Sequence, residues 1–208
     1  MKEDYINNIE GAERRFISPN IEVREDEAGN GVVEGVAAVT ESTTDLGPYS
    51  ERIARGAFDN MLNDNIVALF NHDANFPLAR SINGVGTLKV FVNAEGHFAY
   101  RYNTPNRTYA KDLLDAIRTK DVSKSSFAFQ VESEVWTYAD EFNGLEKDLR
   151  TITAFKRVID VSPVTYEAYH DTSVGARSLD TLKTELKRIT EARKDLADFD
   201  LELLRQEI

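Results

Sequence analysis

The chemically most informative residue of the chain is His72, in the sequence Asn-His-Asp directly after the apolar run Ile66–Phe70. Such a run predicts a buried strand, so the histidine stands at a strand end that can hold its backbone while its side chain projects into a cleft. This setting suits a general base. The chain has three histidines and no cysteine, so imidazole chemistry falls to His72, His97 or His170 and a thiolate nucleophile is excluded. A structural histidine that hydrogen-bonds a loop is the alternative interpretation.

Two adjacent serines, Ser125 and Ser126, stand directly before the aromatic segment Phe127–Phe129. A nucleophilic serine needs an exposed hydroxyl on a rigid backbone beside a base, and the start of a strand supplies such a backbone. Successive strand residues point to opposite faces, so we expect only one of the two serines to face His72. Serine is also common in the turn between a helix and a strand, which is the structural alternative.

Asp160 interrupts the apolar segment Val158–Val161 of a predicted strand. A buried carboxylate is unfavourable unless it is paired, so this position requires a partner. An imidazole is one possible partner. An arginine is the other, and Arg80 or Arg157 would then give Asp160 a purely structural role.

Together, histidine, serine and aspartate supply the base, the nucleophile and the orienting carboxylate that a serine hydrolase needs. Residue types and spacing alone leave the structural alternatives open. A metal-dependent hydrolase that uses His72, Asp73 and another histidine is a further alternative, although adjacent strand residues point to opposite faces and make a poor chelate. The chain lacks the G-x-S-x-G, H-E-x-x-H and P-loop motifs, which excludes the hydrolase, zincin and nucleotide-binding classes that they mark.

The elements that must position these residues are mainly strands, because apolar and polar residues alternate along much of the chain. A helix is predicted over 105–119, since Thr104 can cap it and Pro105 suits the first helical position. A shorter helical segment is predicted between Ser50 and Leu62. The predicted strands cover residues 15–17, 21–24, 31–39, 66–70, 86–92, 97–102, 125–131, 149–152 and 155–161.

Three regions are expected along the 208 residues: a flexible acidic N-terminus over 1–13, a globular domain over 14–175 and a C-terminal helix over 176–208. Leucines at a 3-4 spacing make that last helix amphipathic and a coiled-coil candidate.

The formal net charge of −11 argues against nucleic acid as the main partner. No run of about 18 apolar residues occurs, so no transmembrane helix is predicted, and the first residues do not resemble a secretory signal.

Four segments of the domain resemble, in the same order, those of the HK97-type prohead maturation proteases of tailed phages and prophages, which are similar in fold to the herpesvirus assemblins. The resemblance covers residues 14–172. The segments are Glu51–Phe58, Ile66–Asp73 with Pro77–Arg80, Ser126–Phe129, and Val158–Thr165 with Ala168-Tyr169. The chain differs from the family pattern at a few positions, with alanine for glycine at Ala79 and Ala128, Glu167 for proline and Asp160 for glutamate.

The resemblance implies that His72 is the general base, that Ser126 is the nucleophile and that Asp160 orients the imidazole. Arg80 and Ser125 are candidates for oxyanion or substrate contacts. The implied fold is mainly β with some α: a closed, mostly antiparallel β-barrel of about seven strands with helices packed around it. No cofactor and no metal are expected.

The resemblance also implies a serine endopeptidase that cleaves the scaffolding segment of the major capsid protein, and itself, during phage procapsid maturation. Its partners would be that capsid protein and further copies of the chain, inside the procapsid in the host cytoplasm, with no nucleic-acid or membrane partner. The stretch 171–178 is a candidate self-cleavage site. The alternative is a non-catalytic assembly or scaffold protein on the same fold, in which His72, Ser126 and Asp160 are vestigial.

Overall fold

The computed structural model consists mostly of strands, as the alternating segments of the sequence predict. The structure describes residues 9–17, 21–27, 29–140 and 142–165, which all belong to one compact unit, Met1–His170. The elements in these residues are β1 (Ala12–Ile17), β2 (Glu22–Glu25), β3 (Gly31–Ala38), β4 (Thr43–Asp45), β5 (Ser50–Ile53), β6 (Ile66–Phe70), β7 (Asp73–Ile82), β8 (Val85–Gly86), β9 (Leu88–Val92), β10 (Phe98–Asn103), α1 (Thr108–Arg118), β11 (Lys124–Thr137) and β12 (Leu149–Val164).

The strands form two sheets. The larger runs in the order β1-β11-β12-β6-β7-β8, with β5 paired to β12 and β4 paired to β5. The smaller runs in the order β2-β3-β10-β9, with antiparallel pairs throughout. The larger sheet is mixed, because β12 pairs with β11 in antiparallel fashion but with β5 and β6 in parallel.

Neither sheet closes on itself, since the larger path ends at β1 and β8 and the smaller at β2 and β9. The closed β-barrel predicted from the resemblance is therefore wrong. The physical reason lies in β12, which is 16 residues long and is shared among three neighbouring strands. The larger sheet consequently branches at β12 instead of curling into a barrel. Of the helices predicted to surround the barrel, the described residues contain α1 alone. The helix predicted over 176–208 lies outside the described residues.

Tertiary pairing overrides two local predictions. Residues 50–62 do not form a helix, because β5 pairs in parallel with the start of β12 and is followed by turns. Helix α1 begins later than predicted, with Arg107 rather than Thr104 at its N-cap. The backbone N–H of Thr104 instead donates to the carbonyl of Gly31, which prolongs the pairing of β10 with β3 as far as the predicted N-cap. No helix of the described ranges is long and apolar enough to cross a membrane.

The main hydrophobic core holds residues of both sheets and contains a cluster of stacked and edge-on aromatic rings. Phe58, from the turns after β5, stacks on Phe98 of β10 and on Phe155 of β12, with ring centroids 4.5 and 4.4 Å apart. Phe127 and Phe129 of β11 join the same cluster. These rings occupy one face of β11, so the alternate residues of that strand face away from the aromatic cluster.

A second buried cluster, the charge cluster, joins β1, β5, β11 and β12. Arg150 is 2% exposed and donates hydrogen bonds to three carboxylates, while Arg15 bridges two of them. The carboxylates belong to Glu13, Glu51 and Glu134. Burial alone would raise the pKa of Glu13, but the hydrogen bond from Arg150 and the charges of Arg15 and Arg150 outweigh it, so its pKa lies below the ordinary value. The cluster therefore holds β1 against the sheet with charged groups that water barely reaches.

We expect Glu13→Gln to lower the free energy of unfolding by about 2–4 kcal/mol, because it leaves the buried Arg150 short of negative charge. The measurement is urea unfolding at neutral pH. Glu22→Gln is the matched control, because it removes a carboxylate whose ion pair with Arg24 is exposed, and it should leave the stability nearly unchanged.

Wild type and Glu13→Gln, compared at several pH values, also test the direction of the Glu13 pKa shift. A lowered folded-state pKa contributes stability that is fully present above the ordinary glutamate pKa and is lost as the pH falls through the folded value. The stability difference between wild type and Glu13→Gln should therefore be constant near neutral pH and shrink in acid. A difference that grows in acid would contradict the assignment.

Candidate active site

Ser126 is positioned by β11, which has a neighbouring strand on each side. It pairs with Ser162 of β12 and with Phe16 of β1. Its Oγ lies 2.6 Å from Nε2 of His72. Because both flanking strands are hydrogen-bonded to β11, the backbone that carries this hydroxyl is held on two sides.

A bulge in β12 sets the direction of Asp160. The pairing moves from Ala128↔Asp160 to Phe129↔Val158, which leaves Ile159 as an extra residue on β12. A bulge re-aims the side chains beside it. The Oδ1 atom of Asp160 lies 2.6 Å from Nδ1 of His72 and accepts a second hydrogen bond, 2.9 Å long, from the Ser162 hydroxyl.

The partner of this buried carboxylate is therefore the imidazole. Among the described residues, no hydrogen bond or ion pair joins Asp160 to Arg80 or Arg157, the alternative partners that the sequence suggested. The second oxygen, Oδ2, is buried and has no hydrogen-bond partner in the part of the chain that the structure describes. The Ser162 hydroxyl was not predicted to contact the acid, although its position two residues after Asp160 in a strand indicates the same face.

His72 lies in the turn between β6 and β7. Phe70 pairs with Asp73, so Asn71 and His72 form a two-residue hairpin loop with φ of 52° and 58°. Two positive values define a type I′ turn, whose second position favours glycine. A histidine there costs on the order of 1 kcal/mol or more, and surrounding contacts must hold it. The turn directs the ring across β12 towards Ser126.

The three side chains are almost completely enclosed. The exposed fraction is 5% for His72 and 0% for both Ser126 and Asp160, so the exposed hydroxyl expected of a serine nucleophile is not observed. The Phe16 ring lies edge-on to the imidazole, with centroids 6.1 Å apart. Electrostatic interactions are stronger in such surroundings than in water, so the hydrogen bonds between the three groups gain strength. A hydroxyl, an imidazole and a carboxylate in this order form the arrangement that performs acyl transfer.

A comparison with protein families matches residues 19–185 to the family described as Caudovirus prohead serine protease. The chain belongs to this family. The resemblance seen in the sequence segments is thereby confirmed. Among solved structures, the bacteriophage T4 capsid assembly protease, gp21, aligns with 71% of this chain and 98% of its own at 9% identity, with a TM-score of 0.38. No curated protein matches the chain.

Among the described residues of this prohead protease family member, no hydrogen bond or ion pair joins Arg80 or Asp73 to the three groups. Arg80 is exposed on β7, and its backbone N–H donates to the Thr87 hydroxyl. Asp73 accepts hydrogen bonds from the backbone and side chain of Asn75. Within the described ranges, no group of three histidine, cysteine or carboxylate side chains is placed to hold a metal ion.

Ser125 faces the core side of β11, opposite to Ser126. It is 0% exposed, and its hydroxyl donates to the hydroxyl of Tyr100, which is also 0% exposed, over 3.0 Å. Burial raises the pKa of Tyr100 well above its ordinary value, and the hydrogen bond from Ser125 opposes that rise. Gly35 leaves the space that the Tyr100 ring needs, since a Cβ there would lie 2.7 Å from the Tyr100 hydroxyl oxygen. This arrangement assigns Ser125 to packing in the core.

We expect Ser125→Ala to lower the free energy of unfolding by about 1–3 kcal/mol, because it leaves the buried Tyr100 hydroxyl without a partner. Tyr100→Phe should have a similar effect through Ser125. The double variant should lose less than the sum of the two, because neither polar group then remains. Chemical unfolding of the four proteins measures this coupling. Strictly additive losses would contradict the hydrogen bond.

Proposed function

We propose that the chain is a serine endopeptidase in which Ser126 is the nucleophile, His72 the general base and acid, and Asp160 the residue that orients His72. One observation carries this proposal: the continuous chain of hydrogen-bond contacts from Ser126 Oγ through both ring nitrogens of His72 to Asp160, with both distances 2.6 Å. Membership of the prohead serine protease family supports a serine protease activity.

The geometry selects one tautomer. When Nδ1–H donates to Asp160, Nε2 is free to accept the hydroxyl proton of Ser126. As Oγ attacks the peptide carbonyl, the Oγ–C bond forms and the proton moves to Nε2, while Asp160 stabilises the resulting imidazolium. Collapse of the tetrahedral intermediate breaks the C–N bond, and Nε2 returns the proton to the leaving amine. Water then attacks the acyl-enzyme with His72 again as base, the C–Oγ ester bond breaks, and Nε2 returns the proton to Ser126 Oγ.

The hydrogen-bonded series from Ser126 through His72 to Asp160 is complete, although aspartate stands where the family usually has glutamate. Asp160 is one methylene shorter, yet its Oδ1 lies within 2.6 Å of the imidazole. The Ser162 hydroxyl donates to the same oxygen and stabilises its negative charge. The bulge at Ile159 lies directly before Asp160, where it sets the direction from which the carboxylate reaches the ring.

The proposed substrates are the scaffolding segment of the major capsid protein and the enzyme itself, cleaved inside the procapsid while it matures in the host cytoplasm. The family description supports a protease of capsid maturation. The candidate self-cleavage stretch, 171–178, lies outside the described residues. Association with further copies of the chain is part of the same proposal. The acidic net charge of −11 would keep such an enzyme from competing for the packaged genome.

The decisive experiment is co-expression with the capsid protein of the same phage, followed by mass spectrometry of the products. Ser126→Ala should abolish processing, and Asp160→Asn should lower its rate by about 10³–10⁴-fold because it disfavours the required tautomer. Ser133→Ala, a serine farther along β11, is the matched control and should leave processing intact. Activity should survive a chelator.

Three outcomes would overturn parts of this proposal. Processing that persists in Ser126→Ala but stops in Ser125→Ala would move the nucleophile to the neighbouring serine. Processing that stops with a chelator would favour a metal-dependent hydrolase. Capsid assembly that needs the wild-type chain, shows no cleavage and proceeds equally with Ser126→Ala would favour the non-catalytic scaffold.

A further inference from the structure

The hairpin turn that carries His72 has little sheet structure to hold it in place. The parallel pairing of β6 with β12 consists of Asp160↔Val67 and Val161↔Ala68 and ends there. Beyond Ala68, the pairing of β6 with β7 is also irregular, with register shifts on both sides of Leu69. The last residues before the turn therefore lack the regular ladder that fixes Ser126 on its strand.

Three hydrogen bonds fasten the turn where this ladder ends. The backbone N–H of Asn71 donates to the carbonyl of Pro163 over 3.0 Å. The side-chain Oδ1 of Asn71 accepts from the backbone N–H of Thr165 over 2.9 Å, and its Nδ2 donates to the Thr165 hydroxyl over 3.2 Å. The amide thus uses both its acceptor and a donor on one residue, and we call this pair the amide clamp.

The amide clamp connects the His72 turn to the end of β12, the strand that carries Asp160. Thr165 follows β12 directly, and Asp160 lies five residues earlier on that strand. One short segment, residues 160–165, therefore contacts the imidazole through Asp160 and fastens the backbone of the His72 turn through Pro163 and Thr165. The Asn71 side chain is exposed and adds no core packing, so its contribution is one of position.

We propose that Asn71 is a positioning residue whose amide clamp on Thr165 holds the His72 ring between Ser126 and Asp160. This inference rests on the proposed function for its kinetic effect, whereas the geometry of the clamp stands without it. Misplacement of a catalytic group by about 1 Å can lower a rate by about 100-fold, so a clamp of this kind has a measurable effect.

The chain contains a matched comparison for the test. Asn83 and Gly84 form the two-residue loop between β7 and β8, and the φ of Asn83 is 52°, as for Asn71. Asn→Gly keeps the left-handed conformation accessible at either turn and removes only the side chain. Asn71→Gly therefore deletes the clamp, and Asn83→Gly makes the same change away from the site.

The first measurement is labelling by a fluorophosphonate, in which the Ser126 Oγ–P bond forms, the hydroxyl proton passes to His72 Nε2, the P–F bond breaks and fluoride leaves. We expect Asn71→Gly to lower the maximal labelling rate by about 10–100-fold with the half-saturating probe concentration unchanged. Asn83→Gly should label like wild type. Thr165→Val should give a smaller loss of rate, and Thr165→Ser should restore it.

The second measurement is NMR of the His72 Nδ1–H proton, which lies between Nδ1 and Asp160 and is assigned by its loss in Asp160→Asn. We expect this resonance to weaken through exchange in Asn71→Gly and to remain in Asn83→Gly. An unchanged resonance together with an unchanged labelling rate in Asn71→Gly would overturn the inference. If wild type is not labelled at Ser126, the proposed nucleophile fails, and the resonance alone decides whether the clamp positions His72.

Discussion

A carboxylate that no water reaches must be stabilised by protein donors, and Asp160 is such a group at 0% exposure. Among the described residues, its two donors are the His72 imidazole and the Ser162 hydroxyl, and both donate to Oδ1. The need to satisfy Asp160 therefore fixes the imidazole orientation, and that orientation directs the other ring nitrogen to Ser126. The same electrostatic requirement that makes the acid unfavourable in isolation assembles the three groups.

The fold meets this requirement by placing the three groups around one strand. β12 carries Asp160 and Ser162, pairs with β11 beside Ser126 and pairs with β6 just before the His72 turn. The opposite face of β11 packs its aromatic rings into the main core. The charge cluster ties β1, β5 and β11 to the other end of β12. Site and core are therefore fixed by the same long strand from its two faces.

The residue pattern predicted most strand positions, whereas the architecture implied by the family resemblance is wrong. The roles of His72, Ser126 and Asp160 stay a prediction, although the three side chains lie in hydrogen-bond contact. Alternation located β3, β10 and β11 and a continuous apolar run located β6, because each of these strands buries one face or both. It could not show that residues 50–53 pair in parallel with β12, since this contact joins segments about 100 residues apart. The bulge at Ile159 and the left-handed turn at His72 orient the side chains of the site. Both depend on long-range pairing, so the periodicity of the sequence does not predict them. The predicted barrel is wrong because the branching of a sheet depends on how all its strands pair, which no single segment of the sequence shows.

The adjacency of Ser125 and Ser126 has a consequence for how the sequence can change over evolutionary time. One serine satisfies a core tyrosine and the other contacts the imidazole, so a single inserted or deleted residue in β11 before this pair would exchange their environments. Such a change would bury a mismatched group on each face. The connection between β11 and β12, residues 138–148, has no such restriction, because its length alters neither the strand face of Ser126 nor that of Asp160. Length variation among relatives is therefore expected to accumulate in that connection. In β11 near Ser126, the number of residues is expected to stay the same.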